Sequence, residues 1–220
     1  STPQTITVTI DDVNDNAPVF TSASTFTIDE NTTTVTALAT TDADTNPTVT
    51  YSITGGADAS SFALTNNGVL RVSGTDYESR IIPYSVIVTA DDGLNTTNQI
   101  ITVTIEDVND NAPVFTNNTS FPLSENETFV TELVTTDADT NPTVTYSITG
   151  GADASSFAVT EAGVLTISGT DYESGKTDYE VIVTANDGVN AADATFRLTI
   201  EDVNDNAPVF TSASTFTIDE

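Results

Sequence analysis

The chain has no cysteine, no histidine, no tryptophan and no methionine, and only four basic residues stand against 33 acidic ones. Each absence closes off a class of function. Without cysteine no disulfide staples the fold, and the redox compartment cannot be read from thiols. Without histidine the commonest general base is gone, together with the Ser–His and Cys–His dyads and the usual zinc ligands. The four bases, Arg71, Arg80, Lys176 and Arg197, leave a formal net charge of −29 at pH 7. Such a chain repels phosphate backbones and anionic membranes, which argues against nucleic acid as a partner. No apolar run is long enough to insert in a membrane as a helix, and no signal-peptide pattern opens the sequence.

What the chain has in abundance is repetition. The string DVNDNAPVF occurs at Asp12–Phe20, Asp107–Phe115 and Asp202–Phe210, a constant offset of 95 residues. The block DADTNPTVTYSITGGADASSFA occurs at Asp42–Ala63 and Asp137–Ala158, and DYE at Asp76–Glu78 and Asp171–Glu173. TIDEN at Thr27–Asn31 is answered by PLSEN at Pro122–Asn126, and TSASTFTIDE at Thr21–Glu30 returns at Thr211–Glu220. A fixed period of this length sets the architecture. The expected domains are a first repeat with its linker at 17–111 and a second at 112–206. The last strand and linker of a preceding repeat are expected at 1–16, and the start of a following one at 207–220. The sequence thus reads as a piece of a longer tandem array.

Within each repeat the signal is strand. Apolar residues alternate with threonine in Ile6–Ile10, Ile101–Ile105 and, with Arg197 and Thr199, Phe196–Ile200. Threonine is β-branched and suits a pleated face open to solvent. Further strands are expected at Phe26–Ile28, Val35–Thr41, Val49–Thr54, Phe62–Thr65, Val69–Val72 and Tyr84–Ala90. Turns separate them at Asn46-Pro47, Gly55-Gly56, Asn67-Gly68 and Asp92-Gly93. No stretch has helical periodicity. The expectation is all-β: tandem seven-stranded Greek-key, immunoglobulin-like sandwiches. The DVNDN linker is short, glycine-free and followed by Ala-Pro, unlike a flexible Gly/Ser tether.

The acids concentrate at the repeat boundaries, where each DVNDN offers carboxylates and side-chain amides. Oxygen-only ligands crowded this closely suit a hard cation such as calcium. Asp76 and Glu78, like Asp137 and Asp139, stand at i and i+2 and face the same way in extended chain. Asp58, in the turn after Gly55-Gly56, belongs to no recurring boundary motif.

DVNDNAPVF between sandwich repeats, with DAD, DYE and A-x-D-G in each repeat, resembles the cadherin repeat over essentially the whole chain. The resemblance implies a non-enzymatic, extracellular or cell-surface module that binds Ca2+ at each junction, usually as three ions. At the central junction it implies one ion on Glu30, Asp76, Glu78 and Asp110. A second shares Glu30, Glu78 and Asp110 and adds Asp107, Asp139 and the Val108 carbonyl. A third uses Asn109, Asp137, Asp139 and Asp187 with the carbonyls of Asn111 and Asn141. At the N-terminal junction it implies Asn14, Asp42, Asp44 and Asp92 with the carbonyls of Asn16 and Asn46. At the C-terminal junction it implies Glu125, Asp171, Glu173 and Asp205, with Asp202 and the Val203 carbonyl contributing to a second ion. The family's Leu-Asp-Arg-Glu tetrad departs to Thr75-Asp76-Tyr77-Glu78 and Thr170-Asp171-Tyr172-Glu173, which keeps both ligand acids. The missing tryptophan removes strand-exchange adhesion through an N-terminal tryptophan from what the resemblance implies for these residues. Near-identical repeats rich in threonine and aspartate resemble those of long bacterial surface or secreted proteins.

The implied function is a calcium-rigidified extender or adhesion module. Its partners are calcium and neighbouring repeats, with like repeats on another chain or surface polysaccharide as candidates. Paired carboxylates also serve glycosidases, but an active site has no reason to recur at every joint. A calcium-dependent carbohydrate-binding module is the alternative. Tyr51, Tyr84 and Tyr146 lie in strands and read as core or sheet-face residues. Tyr77 and Tyr172, beside ligand acids, are the candidates for stacking on sugars. Glycosylation sequons stand at Asn31, Asn95, Asn117, Asn118 and Asn126 and matter only where secretion passes through a glycosylating pathway.

Overall fold

Threonine–apolar alternation becomes strand in this protein wherever a neighbouring strand is there to pair with it. The structure, a computed structural model, describes residues 3–45, 47–140, 142–212, 214, 215, 217 and 218. It divides into two units between Val108 and Asn109. The first unit contains β1 (Val19–Phe20), β2 (Thr25–Asp29), β3 (Thr34–Ala37), β4 (Thr40–Thr41), β5 (Thr50–Gly55), β6 (Phe62–Leu64), β7 (Val69–Val72), β8 (Tyr84–Asp91) and β9 (Thr96–Glu106). One sheet has the order β2-β9-β8-β5, a second β3-β7-β6, and β1 pairs with β4. β1 and β2 are one run interrupted by four residues, and β3 and β4 one run interrupted by Leu38 and Ala39. The segments therefore correspond to the seven strands of an immunoglobulin-like sandwich. β2 runs parallel to β9, Thr25 opposite Thr102, while β8 and β9 run antiparallel, Asp91 opposite Thr96.

The second unit repeats this order with β10 (Val114–Phe115), β11 (Ser120–Ser124), β12 (Phe129–Glu132), β13 (Thr135–Thr136), β14 (Thr145–Gly150), β15 (Phe157–Val159), β16 (Val164–Ile167), β17 (Asp178–Asn186) and β18 (Ala191–Glu201). Its sheets are β11-β18-β17-β14 and β12-β16-β15, with β10 on β13.

Alternation places every second side chain in the core. Val86, Val88, Ile101 and Val103 of β8 and β9 are fully buried and share one cluster with Phe62, Leu70 and Val72 of β6 and β7. Each such burial is worth roughly 1.5–3 kcal/mol, so each sandwich has its own source of stability. In the second unit Phe196 takes the place of Ile101. Phe115 packs edge-on against it (ring centroids 5.8 Å) and Phe121 stacks on it (6.4 Å).

A glycine pair positions one more structural device. Gly56 has φ 108°, and a Cβ there would come within 2.5 Å of Val86 Cα, so only glycine fits. The turn it makes delivers Asp58, whose carboxylate accepts from the Ser85 amide (2.8 Å) and from Arg80 Nη1 (2.7 Å). The guanidinium lies over the Tyr84 ring, 4.1 Å from its centroid. In the second unit the same place is filled from a different position. Lys176, one residue further along its repeat than Arg80, pairs with Asp153 and lies 4.7 Å from the Tyr179 ring centroid.

One expectation is corrected. Ile6–Ile10 forms no strand, and Ile6, Val8 and Ile10 are 79–91% exposed. The equivalent Ile101–Ile105 is held between β2 and β8, and residues 6–10 have no such pair of strands beside them. Residues 207–212 likewise form no strand, and Phe210 is 95% exposed. Short 3₁₀ turns, too brief for periodicity to reveal, occur at Ala59–Ser61, Ala154–Ser156 and Tyr172–Ser174.

Asp58 therefore has a structural task. Asp58→Ala takes the acceptor from the Ser85 amide and leaves Arg80 only the Ile82 and Pro83 carbonyls, and should lower unfolding free energy by about 1–3 kcal/mol in urea titration. The Arg80 and Ser85 hydrogen bonds hold the Asp58 carboxyl below its ordinary pKa. Its contribution should be full at neutral pH and fade as pH falls through about 4 and below, so the gap between wild type and Asp58→Ala should close in acid. A pH-independent gap would contradict this.

Candidate metal centres

Each sandwich carries two acidic clusters, one at either end of its long hairpin strands. In the first unit Asp92 follows β8 and so stands beside the start of β9, whereas Glu30 follows β2 and stands beside its end. Glu30 N donates to the Glu106 carbonyl (3.0 Å), which continues the β2–β9 ladder up to the acid itself. The next residue, Asn31, has φ 59°, a left-handed turn that asparagine tolerates. Asn126 after Glu125 does the same, with φ 67°.

The leading cluster of the first unit consists of Asp42, Asp44 and Asp92, whose nearest carboxylate oxygens all lie within 4.8 Å of one another. Asp44 and Asp92 are buried. The Asp92 carboxylate takes the amides of Leu94 and Asn95, both at 2.8 Å, and that of Asn95 contributes most to holding its pKa below the ordinary value. Gly93, at φ 98°, makes that turn possible. The incoming linker is tied to the same acids. Asn16 donates through its backbone amide (2.9 Å) and side chain (2.7 Å) to Asp44, and Asn14 Nδ2 donates to the Asp92 carbonyl (3.5 Å). Asp12 accepts from the Thr45 amide (2.5 Å). Asp12, Asn14, Asp44 and Asp92 border a cavity of about 490 Å³.

The leading cluster of the second unit reproduces the arrangement with Asp137, Asp139 and Asp187. Asn111 donates through its amide (3.0 Å) and side chain (2.8 Å) to Asp139. Burial pushes the Asp187 carboxyl up, but hydrogen bonds from the Asn190 and Val189 amides and the Asn109 side chain outweigh it, and its pKa lies below the ordinary value. Asp110, expected on two ions, accepts from the Asn111 side chain (2.8 Å).

The trailing cluster of the first unit groups Glu30, Asp76 and Glu78. Glu30 is 3% exposed. Its two oxygens accept from the amides of Tyr77 and Val108, both at 2.9 Å, so it clamps the DYE loop and the outgoing linker together. Asp76 is held by the Ser79 hydroxyl (2.7 Å) and amide (3.0 Å). Burial, a hydrogen bond with Asp107 and the charges of Glu30 and Asp107 raise the Glu78 pKa.

In the second unit the trailing group is Glu125, Glu173 and Asp202. Glu125 accepts from the amides of Tyr172 (2.7 Å) and Val203 (2.8 Å), which lower its pKa. Asp171 is not drawn into this group. It caps the Tyr172–Ser174 turn, which ends in left-handed Gly175 where the first repeat has Arg80. Asp205 accepts from Asn126 Nδ2 (2.9 Å) and also lies outside the group. Asn46 and Asn141 lie outside the described residues.

Two site residues escaped the sequence reading. Asn95 Nδ2 donates to Asn14 Oδ1 and the Asn16 carbonyl, both at 3.1 Å. Asn190 Nδ2 donates to Asn109 Oδ1 (3.2 Å) and its carbonyl (3.3 Å). The signal was present: D-G-x-N recurs at Asp92–Asn95 and Asp187–Asn190.

These donor sets fit a hard divalent cation. All are oxygen, the acids converge without a base among them, and Asp42 Oδ2 and Asp137 Oδ2 are buried with no hydrogen-bond partner among the described residues. A buried anionic oxygen left this way is costly unless a cation meets it. The aromatic rings are mostly committed elsewhere. Tyr51, Tyr84 and Tyr179 are buried and Tyr77 packs on the core, whereas Tyr172 is 40% exposed.

No protein-family model matches the chain. Over 223 residues, 94% of the chain, it is 34% identical to protocadherin Fat 4 of Homo sapiens, and over 230 residues 33% identical to cadherin-23 of Mus musculus. It spans 4% and 7% of those proteins' lengths. Among solved structures, human protocadherin-24 EC1-2 superposes with TM-score 0.74 at 22% identity, covering 87% of this chain and all of that one. Mouse cadherin-23 EC22-24 gives 0.63 at 26% identity, covering 87% and 67%. These relatives are animal proteins, and they lend no support to a bacterial kinship.

The trailing cluster makes a prediction of opposite signs. Glu78→Gln removes a charge that Glu30 and Asp107 repel, so the chelated protein should melt at a higher temperature at pH 7 than wild type. The same change removes a ligand oxygen's charge and should reduce the gain in melting temperature on adding calcium. Paired calorimetric scans test this. A fall in stability in chelator with an unchanged calcium response would refute it.

Proposed function

Because the chain is built of two tandem cadherin repeats, extracellular adhesion-type modules without enzymatic activity, we propose that it is a calcium-rigidified spacer or adhesion module of a longer surface protein. The observation that carries this reading is the division of labour along the linker. Within the first unit, Val108 is bonded to the trailing acid Glu30. Within the second, Asn109 and Asn111 are bonded to Asn190 and Asp139 of the leading cluster. Glu30 thus holds Val108 within the first unit, and Asn190 and Asp139 hold Asn109 and Asn111 within the second.

Calcium would be held in the first unit by Glu30, Asp76, Glu78 and Asp107 at the trailing end, and by Asp42, Asp44, Asp92 and Asn14 at the leading end. In the second unit the leading acids Asp137, Asp139 and Asp187 with Asn109, and the trailing acids Glu125, Glu173 and Asp202, play the same parts. The ion would supply positive charge that no side chain in these clusters provides. The protein's own residues do the positioning. Backbone amides fix one oxygen of most acids and leave others for the metal. The segment itself has only Val108 as apolar content, so its order depends on those polar anchors. Like repeats on another chain and surface polysaccharide remain the candidate adhesion partners.

Small-angle scattering in calcium and in chelator, with far-ultraviolet circular dichroism alongside, tests the proposal. Calcium at a few times the roughly 10⁻⁴ to 10⁻³ M dissociation constants of extracellular sites should narrow the distribution of distances between the units. The β signal should persist in chelator, because each core is independent of the acids. Superimposable scattering profiles would refute rigidification, and loss of the β signal would mean that the ions hold the sandwiches themselves.

A further inference from the structure

The second repeat carries two overlapping sequons, Asn117-Asn118-Thr119 and Asn118-Thr119-Ser120, where the first repeat has Ser22-Ala23-Ser24-Thr25. The two asparagines do different work. Asn117 Oδ1 accepts from the Val134 amide and its Nδ2 donates to the Glu132 carbonyl (2.8 Å). Its counterpart Ser22 makes the equivalent contact, accepting from the Ala39 amide (3.4 Å). Asn117 thus inherits a serine's structural task. Asn118 replaces Ala23, is exposed as Ala23 is, and its side chain has no hydrogen-bond partner among the described residues. Its amide nitrogen is unused by the fold.

The other sequons are committed to the linker ends. Asn95 Nδ2 holds Asn14 and Asn16. Asn126 Nδ2 holds Asp205. Asn31 occupies the left-handed turn directly after the buried Glu30. A glycan at any of these would stand against an acidic cluster or the linker it holds.

We infer that Asn118 is the N-glycan acceptor of this chain, an inference that rests on the extracellular reading of the repeats. In the transfer, Asn118 Nδ2 forms a bond to the anomeric carbon of an oligosaccharide carried on a lipid diphosphate. The bond from that carbon to the diphosphate oxygen breaks, the lipid diphosphate leaves, and the amide gives up one proton to a base of the transferase. The site lies two residues before Ser120, which opens β11, and β11 is one of the two edge strands of its sheet. A bulky, hydrated group there would shield an unpaired sheet edge from a second chain.

The test is secretion of this chain from a eukaryotic host that glycosylates its exports. Peptide-N-glycosidase treatment in heavy-oxygen water, followed by peptide mass spectrometry, converts each occupied asparagine to labelled aspartate. One labelled position, Asn118, is expected. Asn118→Gln should lose the entire glycan mass while remaining secreted and β-rich, and Asn117→Ser, which restores the first repeat's residue, should keep it. A secreted chain with no label, or with label at any other sequon, overturns the inference. The readout needs no calcium, so its failure is separate from failure of the calcium reading.

Discussion

Mutual repulsion among carboxylates at the ends of each sandwich is the constraint on which the rest of the structure depends. Among the described residues, four groups of three acids, each group within one unit, bring one carboxylate oxygen per acid to within 4.8 Å of the others, with no base among them. Repulsion at such distances is strong wherever water is partly excluded, and Glu30, Asp44, Glu125 and Asp139 are all buried. Backbone amides offset part of it, as at Asp92, Glu125 and Asp187. They do not reach every oxygen, and the buried Oδ2 atoms of Asp42 and Asp137 mark what is left over. A cation of oxygen preference is the economical solution to a problem that the fold otherwise creates for itself.

The rest of the molecule bears that load. Two aliphatic and aromatic cores, each with fully buried residues on paired long strands, give each sandwich a source of stability that does not involve the acids. None of the four bases belongs to a cluster: Arg80 pairs with Asp58, Lys176 with Asp153 and Arg197 with Glu180, while Arg71 donates to the Thr34 hydroxyl. The near-identical repeats make the logic visible. The cation over Tyr84 and the one over Tyr179 come from non-equivalent positions, so what is retained is the contact and not the residue.

Much of this was legible in the sequence because the information is local and repeated. Period-two alternation in Ile101–Ile105 and the glycine turns define strands, and acids at fixed offsets define the clusters. What was not legible depends on long-range partners. Ile6–Ile10 has the same letters as Ile101–Ile105 and forms no strand, because pairing and not propensity decides. Asp171 matches Asp76 in the triplet DYE and accepts from the Ser174 amide as Asp76 does from that of Ser79, yet it lies outside the trailing group, and its turn is a 3₁₀ turn ending in Gly175. Asp58 looked idle because its partner Arg80 is distant in sequence and outside any motif. Asn95 and Asn190 recur in register, but asparagine beside a D-G turn reads first as a turn residue.

A cation that completes the leading clusters should be visible by diffraction. Crystals grown with millimolar calcium and measured at long wavelength test it most directly, because anomalous difference density locates calcium without reference to the protein. Peaks are expected at Asp42–Asp44–Asp92 and at Asp137–Asp139–Asp187, each roughly 2.3–2.6 Å from the Oδ2 of Asp42 or Asp137. Density confined to other acids of the surface, or none at millimolar calcium, would contradict it.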